Sequence, residues 1–405
     1  WSSDVCSSDL MRLTHPMKKE INIMKDFRFK VPQNIEFGVG SLKKLPEILK
    51  ENNSEHVYLV SDHGLESIGV VKKVQDIVEA GGLTCTTFLD VVPNPTVDVV
   101  NASTKMYKES GATSIIALGG GSSMDVAKAT GVLATYGGEI NDYEGLYKVP
   151  GPIVPMIAIP TTAGTGSEVT ASAVITDEAK NFKMSVISYE ILPKYAVLDP
   201  ELIMTAPASI AASCGVDALI HAMEAYVSNF ASPFSDAMAE KAMELIGGNL
   251  RRFVANRKDE EAACAMMVGS TFAGMAFAWA KLGNVHAMSH PVSAYFHVPH
   301  GVANAVILPT VVEYNALADN GRYEKIYNYI SEDKEPVIDF TPDMLVDEVK
   351  KLNKDLGIPS SLSEVGVTED KIEAMAKDAV AHPNVLANPR QTNLKEMIAL
   401  YKKAL

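Results

Sequence analysis

From about residue 24 to residue 200, short apolar runs alternate with amphipathic stretches, the pattern of a parallel sheet with crossover helices. Four strands are predicted. Residues 56–60 (HVYLV) end at Ser61-Asp62, and residues 83–89 (LTCTTFL) precede the turn Pro93-Asn94-Pro95. Residues 113–118 (TSIIAL) run into Gly119-Gly120-Gly121, and residues 155–160 (PMIAIP) run into Thr161-Thr162. Between them, 64–80 and 96–110 space their apolar residues at helical intervals, as in Val97, Val100 and Met106 with Lys and Glu between. After Leu198-Asp199-Pro200 the strand pattern fades, and Ala- and Met-rich helical stretches at 207–228, 233–254 and 258–281 take over. The second half is expected to be all helix, with a polar loop over 331–341 and Thr341-Pro342 opening the next helix. Prolines at 193, 200 and 207 mark the change, since proline cannot continue a helix.

The expected fold is therefore an α/β N-terminal domain of mostly parallel sheet with flanking helices (24–206), followed by an all-α C-terminal domain (207–405). Residues 1–23 are expected to be a non-native or disordered extension: the head WSSDVCSSDL repeats SSD, lacks apolar periodicity and precedes Met11. It also lacks the basic and apolar regions of a secretory signal. No apolar run approaches the ~18 to 20 residues of a membrane helix, so no membrane partner is expected.

The 405 residues are 47% hydrophobic, enough for a large core in two domains. Fifty acidic against 36 basic side chains leave a net charge of −14, which repels nucleic acid and anionic lipid. The four cysteines (Cys6, Cys85, Cys214 and Cys264) contain no CxxC pair, so neither a disulfide framework nor a thiolate zinc site is indicated, and a reducing, cytoplasmic location is expected. Of the nine histidines, four fall within fifteen residues: His286, His290, His297 and His300.

Two loops follow buried strands. Gly119-Gly120-Gly121-Ser122-Ser123-Met124-Asp125 opens a helix, and its glycines and free N–H groups suit a pyrophosphate. It departs from G-x-G-x-x-G at Met124, and by itself reads equally well as a tight strand-to-helix turn. The second loop, Thr161 to Thr170, offers many small donors. Two such loops at the carboxyl ends of parallel strands point to a ligand crevice. Asp62, also at a strand end, suits adenosine ribose hydroxyls and repels a 2′-phosphate, favouring NAD over NADP, although a strand-end aspartate commonly forms a turn.

Asp217 and His221 share a helix face at i,i+4, and His286 and His290 repeat that spacing. With His300 they lie in an apolar, small-residue setting where uncompensated imidazoles are costly to bury. A shared cation removes that cost. Three imidazoles and one carboxylate without thiolates suit Fe(II) or Zn(II). His297 reads as a pocket-wall or surface residue, and His15, His56, His63 and His382 receive no role.

Together, Gly119–Lys128, Pro160–Thr170, the Asp217-x-x-x-His221 helix and the His286 to His300 segment resemble the iron-containing (group III) alcohol dehydrogenases, from about Met24 to the C-terminus. The resemblance implies an active site in the cleft between an NAD-binding domain and a helical metal domain. Residue by residue, it implies metal ligation by Asp217, His221, His286 and His300, and His290 beside the substrate as the candidate for proton relay. It implies nucleotide contacts from Asp62, Asn94, Gly120, Gly121, Ser122, Thr161, Thr162, Thr165, Thr170 and Lys183. Ser172 and Phe277 align with the substrate pocket. Phe277-Ala278-Trp279-Ala280 departs from the Phe-Asn-Asn-Ala of many relatives, so substrate preference does not carry over.

The activity implied is reversible interconversion of short-chain primary alcohols or diols and aldehydes with NAD(H) and Fe(II), or Zn(II), with relatives forming homodimers or larger homo-oligomers. Two other readings stand beside it: a lyase like dehydroquinate synthase, which needs a basic pocket that the metal-side residues do not offer, and a non-enzymatic filament or scaffold domain. A hydrolase using a metal-bound water would leave both loops and Asp62 without a purpose.

Overall fold

The computed structural model describes residues 34–179, 182–333 and 337–405. The expected extension over 1–23 and the expected domain start at residue 24 lie outside the described residues. Nine strands are found among those described: β1 (Asn34–Phe37), β2 (His56–Val60), β3 (Thr84–Phe88), β4 (Ser114–Gly119), β5 (Gly145–Leu146), β6 (Met156–Pro160), β7 (Ser172–Asp177), β8 (Phe182–Ile187) and β9 (Tyr195–Leu198). Six of them form one sheet in the order β1-β9-β6-β4-β2-β3, parallel throughout. Every residue of β4 and of β6 is buried, because helices cover both faces of a parallel sheet, which explains their unbroken apolar runs.

The crossover helices are α1 (Leu45–Glu51), α2 (His63–Ser67), α3 (Val70–Ala80), α4 (Val97–Ser110) and α5 (Gly121–Tyr136). The single helix expected over 64–80 is two, broken where Gly69 adopts φ 80° and α3 restarts. The second sheet, β5-β8-β7, was not foreseen, nor were β1 and β9. β5 has only two residues, and β7 and β8 bury every second residue in place of an unbroken apolar run, so they stand out less than β4 and β6.

From Pro200 the described chain is helical: α6 (Pro200–Ile203), α7 (Ala208–Val227), α8 (Pro233–Ala255), α9 (Glu260–Ala280), α10 (Asn284–Phe296), α11 (His300–Asn315), α12 (Arg322–Ile330), α13 (Pro342–Asp355), α14 (Ile372–Ala381) and α15 (Leu394–Ala404). α7 lies at the centre and is buried almost all round, as its Ala, Leu, Ile and Met content requires. Its neighbours approach closely because Gly215 carries no side chain: a Cβ there would stand 2.3 Å from Leu250 Cδ1.

One expectation is corrected. Ala208–Val227, Glu260–Ala280 and His300–Ala318 are long and apolar enough, by length and composition, to cross a membrane. Most of each is buried inside the molecule, where the apolar residues form the helical core.

Candidate active site

β6, β4 and β2 are neighbours in the sheet, and because they are parallel their carboxyl ends lie along one edge. That edge presents Thr161, Gly120 and Asp62 side by side, the position at which open α/β sheets bind ligands. The two loops face each other directly. A Cβ on Gly121 would stand 3.1 Å from Thr165 Cγ2, and one on Gly120 would stand 3.4 Å from Thr162 Oγ1. Gly119 turns the chain at φ 147°, and the N–H of Thr161 donates to its carbonyl at 3.1 Å. Gly120 caps α5 with no side-chain hydrogen bond, and Ser122 lies in the first turn of that helix, where free N–H groups meet an anion.

Asp62 caps α2, its Oδ1 accepting from the Leu65 N–H at 3.0 Å, so the turn-forming reading of this residue is realised on one carboxylate oxygen. Asn94, at φ 54°, receives Lys183 Nζ on its Oδ1 at 2.7 Å, which joins the turn after β3 to β8. The Thr170 hydroxyl is turned inward to Lys128 Nζ at 3.3 Å. Lys128 is fully buried and also donates to the Ser167 carbonyl, the Ser167 hydroxyl and the Ser172 carbonyl, at 2.8, 3.0 and 2.9 Å. Burial lowers its pKa, and the neighbouring Asp125 carboxylate works the other way. The second loop is thus held from beneath by one cation.

The metal-side residues converge from three helices. The Nε2 atoms of His221, His286 and His300 lie 3.8, 3.7 and 4.0 Å from Asp217 Oδ1. Donor atoms of Asp217, His221 and His286 all fall within 4.8 Å of one another, and all three residues are buried. Ligands about 2.1 Å from one tetrahedral ion stand about 3.4 Å apart, so these donors are within a few tenths of an ångström of a coordination set. His300 closes the set from the more open side.

A further ring of partners orients these groups. Glu224 Oε2 lies 2.6 Å from His286 Nδ1, while its Oε1 accepts from the Val285 N–H at 2.7 Å. The Gly164 carbonyl accepts from His221 Nδ1 at 3.2 Å, which ties the ligand helix α7 to the second loop. These bonds direct both Nε2 atoms inward, as for metal-bound histidines. Asn304, one turn after His300, donates from Nδ2 to Asp217 Oδ1 at 2.6 Å and lies 3.1 Å from both His286 Nε2 and His300 Nε2. Its buried Oδ1 finds no partner. A buried polar side chain with an orphaned oxygen at the convergence of four donors fits a cation site better than a closed core.

The electrostatics agree. Burial alone would raise the Asp217 carboxyl, but His221, His286 and His300 hold it well below the usual carboxylate range. Burial pushes His221 down to about 4 and lowers His300, so both are neutral at pH 7, the form that can ligate a cation. Burial also opposes the charge on His286, but the Glu224 and Asp217 carboxylates outweigh it and hold that imidazole up at about 9. His290 is driven well below its usual value, first by burial and then by His300 and His382. The Lys183 charge also lowers both His290 and His300, after burial and the neighbouring groups.

Sequence comparison decides the family. Residues 32–200 match the model of the iron-containing alcohol dehydrogenases, and residues 211–405 match the C-terminal model of the same family. This chain is an iron-containing alcohol dehydrogenase. It is 38% identical over 378 residues to the NAD-dependent methanol dehydrogenase of Bacillus methanolicus, covering 93% of this chain and 99% of that one. It is 39% identical over 371 residues to lactaldehyde reductase of Escherichia coli (strain K12), covering 91% and 97%. Its fold superposes on the crystal structure of a 1,3-propanediol oxidoreductase with a TM-score of 0.91 at 35% identity, covering 94% of this chain and 100% of that one.

Within this iron-containing alcohol dehydrogenase the structure gathers Asp217, His221, His286, His290 and His300, and beside them Phe277, whose ring centroid is 4.5 Å from that of His221. Trp279, two residues on, stacks on Tyr189 at 5.4 Å, and Tyr189 meets Tyr147 at 5.3 Å. Ser172 begins β7 on the nucleotide side, reaching Lys128 through its carbonyl. His297 adopts φ 56° at the end of α10 and makes the turn towards His300. Sequence reasoning missed Glu224, Asn304, Lys128 and His382. For Asn304 a signal existed, since His300 and Asn304 repeat the i,i+4 spacing of the ligand pairs. Glu224 shares the face of Asp217 and His221, at i+7 and i+3 from them, while His382 carries no such signal.

Proposed function

We propose that this protein interconverts short-chain primary alcohols or diols and aldehydes with NAD(H), using a divalent ion, iron or zinc, held by Asp217, His221, His286 and His300. The observation that carries this reading is the convergence of three imidazole Nε2 atoms within 4.0 Å of one buried carboxylate oxygen, on a helix that His221 ties to the second loop through the Gly164 carbonyl. When bound, the ion polarises the substrate oxygen and the nicotinamide exchanges a hydride with the carbinol carbon.

The chain's own groups supply the rest. Gly120, Gly121 and Ser122 bind the pyrophosphate through the start of α5. Thr161, Thr162 and Thr165 line the opposite wall, and Thr170 fixes that wall to Lys128. Asp62 accepts from the adenosine ribose with the oxygen its capping bond leaves available. Lys183 and Asn94 act as one unit at the nicotinamide end. Phe277 packs against His221 and excludes water from the reacting oxygen, and Ser172, at the start of β7, contributes to the pocket from the nucleotide side. His290, directly or through a water, exchanges the alcohol proton, as an imidazole beside the ligand set can.

The two-domain division at 206/207 is supported by the last strand ending at Leu198 and the central helix starting at Ala208. A homodimer or larger homo-oligomer is supported by edge strand β1, which leaves Ile35 and Phe37 exposed. Cytoplasmic residence is supported by the free thiols of Cys85, Cys214 and Cys264. The test is NADH consumption with propanal or butanal in the presence of Fe(II) or Zn(II), followed at the cofactor's absorbance. Turnover that depends on added metal is the expected result, and silence across a broad aldehyde panel sinks the proposal.

A further inference from the structure

His290 Nδ1 lies 3.1 Å from His382 Nε2, and the two rings meet edge to face with centroids 4.7 Å apart. Either nitrogen could be the donor in such a pair, and the direction is decided one bond further out. His382 caps the short 3₁₀ helix Pro383–Leu386, where the backbone N–H of Asn384 points at His382 Nδ1 at 3.3 Å. A peptide N–H can only donate, so His382 Nδ1 is an acceptor. Burial pushes His382 down to about 4, which leaves the ring neutral with its one proton on Nε2. The pair bond then runs from His382 Nε2–H to His290 Nδ1, and a neutral His290 carries its own proton on Nε2. No protein partner for that Nε2 is found among the described residues. The His290 ring sits between His382 and the ligand rings, with centroids 5.3 Å from His300 and 6.2 Å from His286.

We propose that His382 is a positioning residue: it fixes His290 as the Nε2–H tautomer, so that an N–H donor, not a lone pair, is offered to the substrate oxygen. The proposal rests on the reading above in placing His290 beside the substrate. An aldehyde carbonyl and an alkoxide are both acceptors, so one donor serves both directions of the reaction; with Nδ1 taken by His382 and Nε2 protonated, the alcohol proton is exchanged through water beside His290 rather than taken up by the ring itself. The opposite tautomer sets a lone pair against either of them. The same bond holds the ring against rotation, since α10 carries His290 while His382 sits at the end of α14, and the pair locks the two elements together.

The test uses the zinc-loaded full-length enzyme, because zinc is diamagnetic. Long-range ¹H–¹⁵N correlation of the imidazoles, with His290 assigned by its absence in His290→Gln, reads the tautomer directly. The Nε2–H form is expected in the wild type. His382→Gln places an amide N–H near the former Nε2, and is expected to preserve that tautomer and recover most of the kcat lost in His382→Ala. His382→Glu offers only an acceptor, and is expected to switch His290 to the Nδ1–H form. A wrong tautomer in a catalytic histidine is costly, so kcat should fall about 100-fold in His382→Glu and about ten-fold in His382→Ala, with KM for propanal and zinc content changing less than about two-fold. An Nδ1–H tautomer in the wild type overturns the proposal. So does a kcat in His382→Glu within about two-fold of His382→Gln. If His382→Ala does not fold, the wild-type tautomer and the Gln/Glu pair still decide. If the wild type turns over no aldehyde, the functional reading fails while the tautomer measurement stands by itself.

Discussion

Around Asp217, the groups that face the cluster are side chains from α7, α10 and α11, with Glu224 behind His286, the Gly164 carbonyl behind His221 and Asn304 on Asp217. Around Gly120, what is offered is mostly backbone, and the side chains that matter are the absent ones. The difference follows from the ligands each region suits. A small cation needs several full or partial negative charges converging on a point, which only side chains on separate elements supply. A pyrophosphate needs a broad concave surface of N–H groups, which a helix N-terminus after a glycine turn supplies without charged side chains. The metal region is therefore vulnerable to removing atoms, and the nucleotide region to adding them.

The largest expected effect tests the first half of that contrast. His286→Ala should abolish metal retention and turnover together, lowering kcat/KM with propanal by at least about 1000-fold, while NADH affinity measured by fluorescence changes less than about two-fold. Full activity without metal in this variant would falsify the ligand assignment. Next comes the seam between the regions. Gly166 lies at φ 60°, and a Cβ there would stand 2.6 Å from Gly274 Cα on α9. Gly166→Ala should cost about 2 to 3 kcal/mol in urea unfolding and weaken both metal and NADH binding. A neutral outcome would mean that the loop and α9 move independently.

Glu224→Gln keeps the shape but loses the charge behind His286, so zinc affinity in chelator competition should fall about 10- to 100-fold with NADH binding intact. In the opposite region, Gly121→Val should raise the NADH dissociation constant about ten-fold with full metal content, since its side chain would press on Thr165. Smallest is Asp62→Gly, expected to relax discrimination against NADPH several-fold and to cost only a few tenths of a kcal/mol through the lost cap of α2, since glycine is itself tolerated at an N-cap. An unchanged cofactor ratio there places the ribose elsewhere.

Much of this was legible in the chain. The runs at 56–60, 113–118 and 155–160 became β2, β4 and β6 because a buried parallel strand is apolar on both faces. The stretches 207–228 and 233–254 became α7 and α8 nearly residue for residue. What escaped has a common cause. β8 does alternate, Phe182, Met184 and Val186 with Lys183 and Ser185, but over only six residues, and β7 interrupts its alternation with the run Ala173-Val174-Ile175, so neither stood out beside the unbroken apolar runs of the large sheet. Gly69 breaks a helix that periodicity alone continues. The helices carrying Asp217 and Phe277 looked too polar in places to reach membrane length, yet do so by composition.

The site divides in the same way. Sequence by itself determined the elements, the glycine and threonine loops at strand ends, and the i,i+4 pairs, because each depends only on residues within a turn or two of one another. Tertiary structure alone decided that Glu224 stands behind His286, that Asn304 donates to Asp217, that Lys128 carries the second loop, and that His382 meets His290 across 92 positions of chain. Those contacts join faces of different helices, or a helix and a turn, and which faces meet is set by how small residues such as Gly215 and Gly166 let whole elements pack. Local periodicity holds no record of that packing.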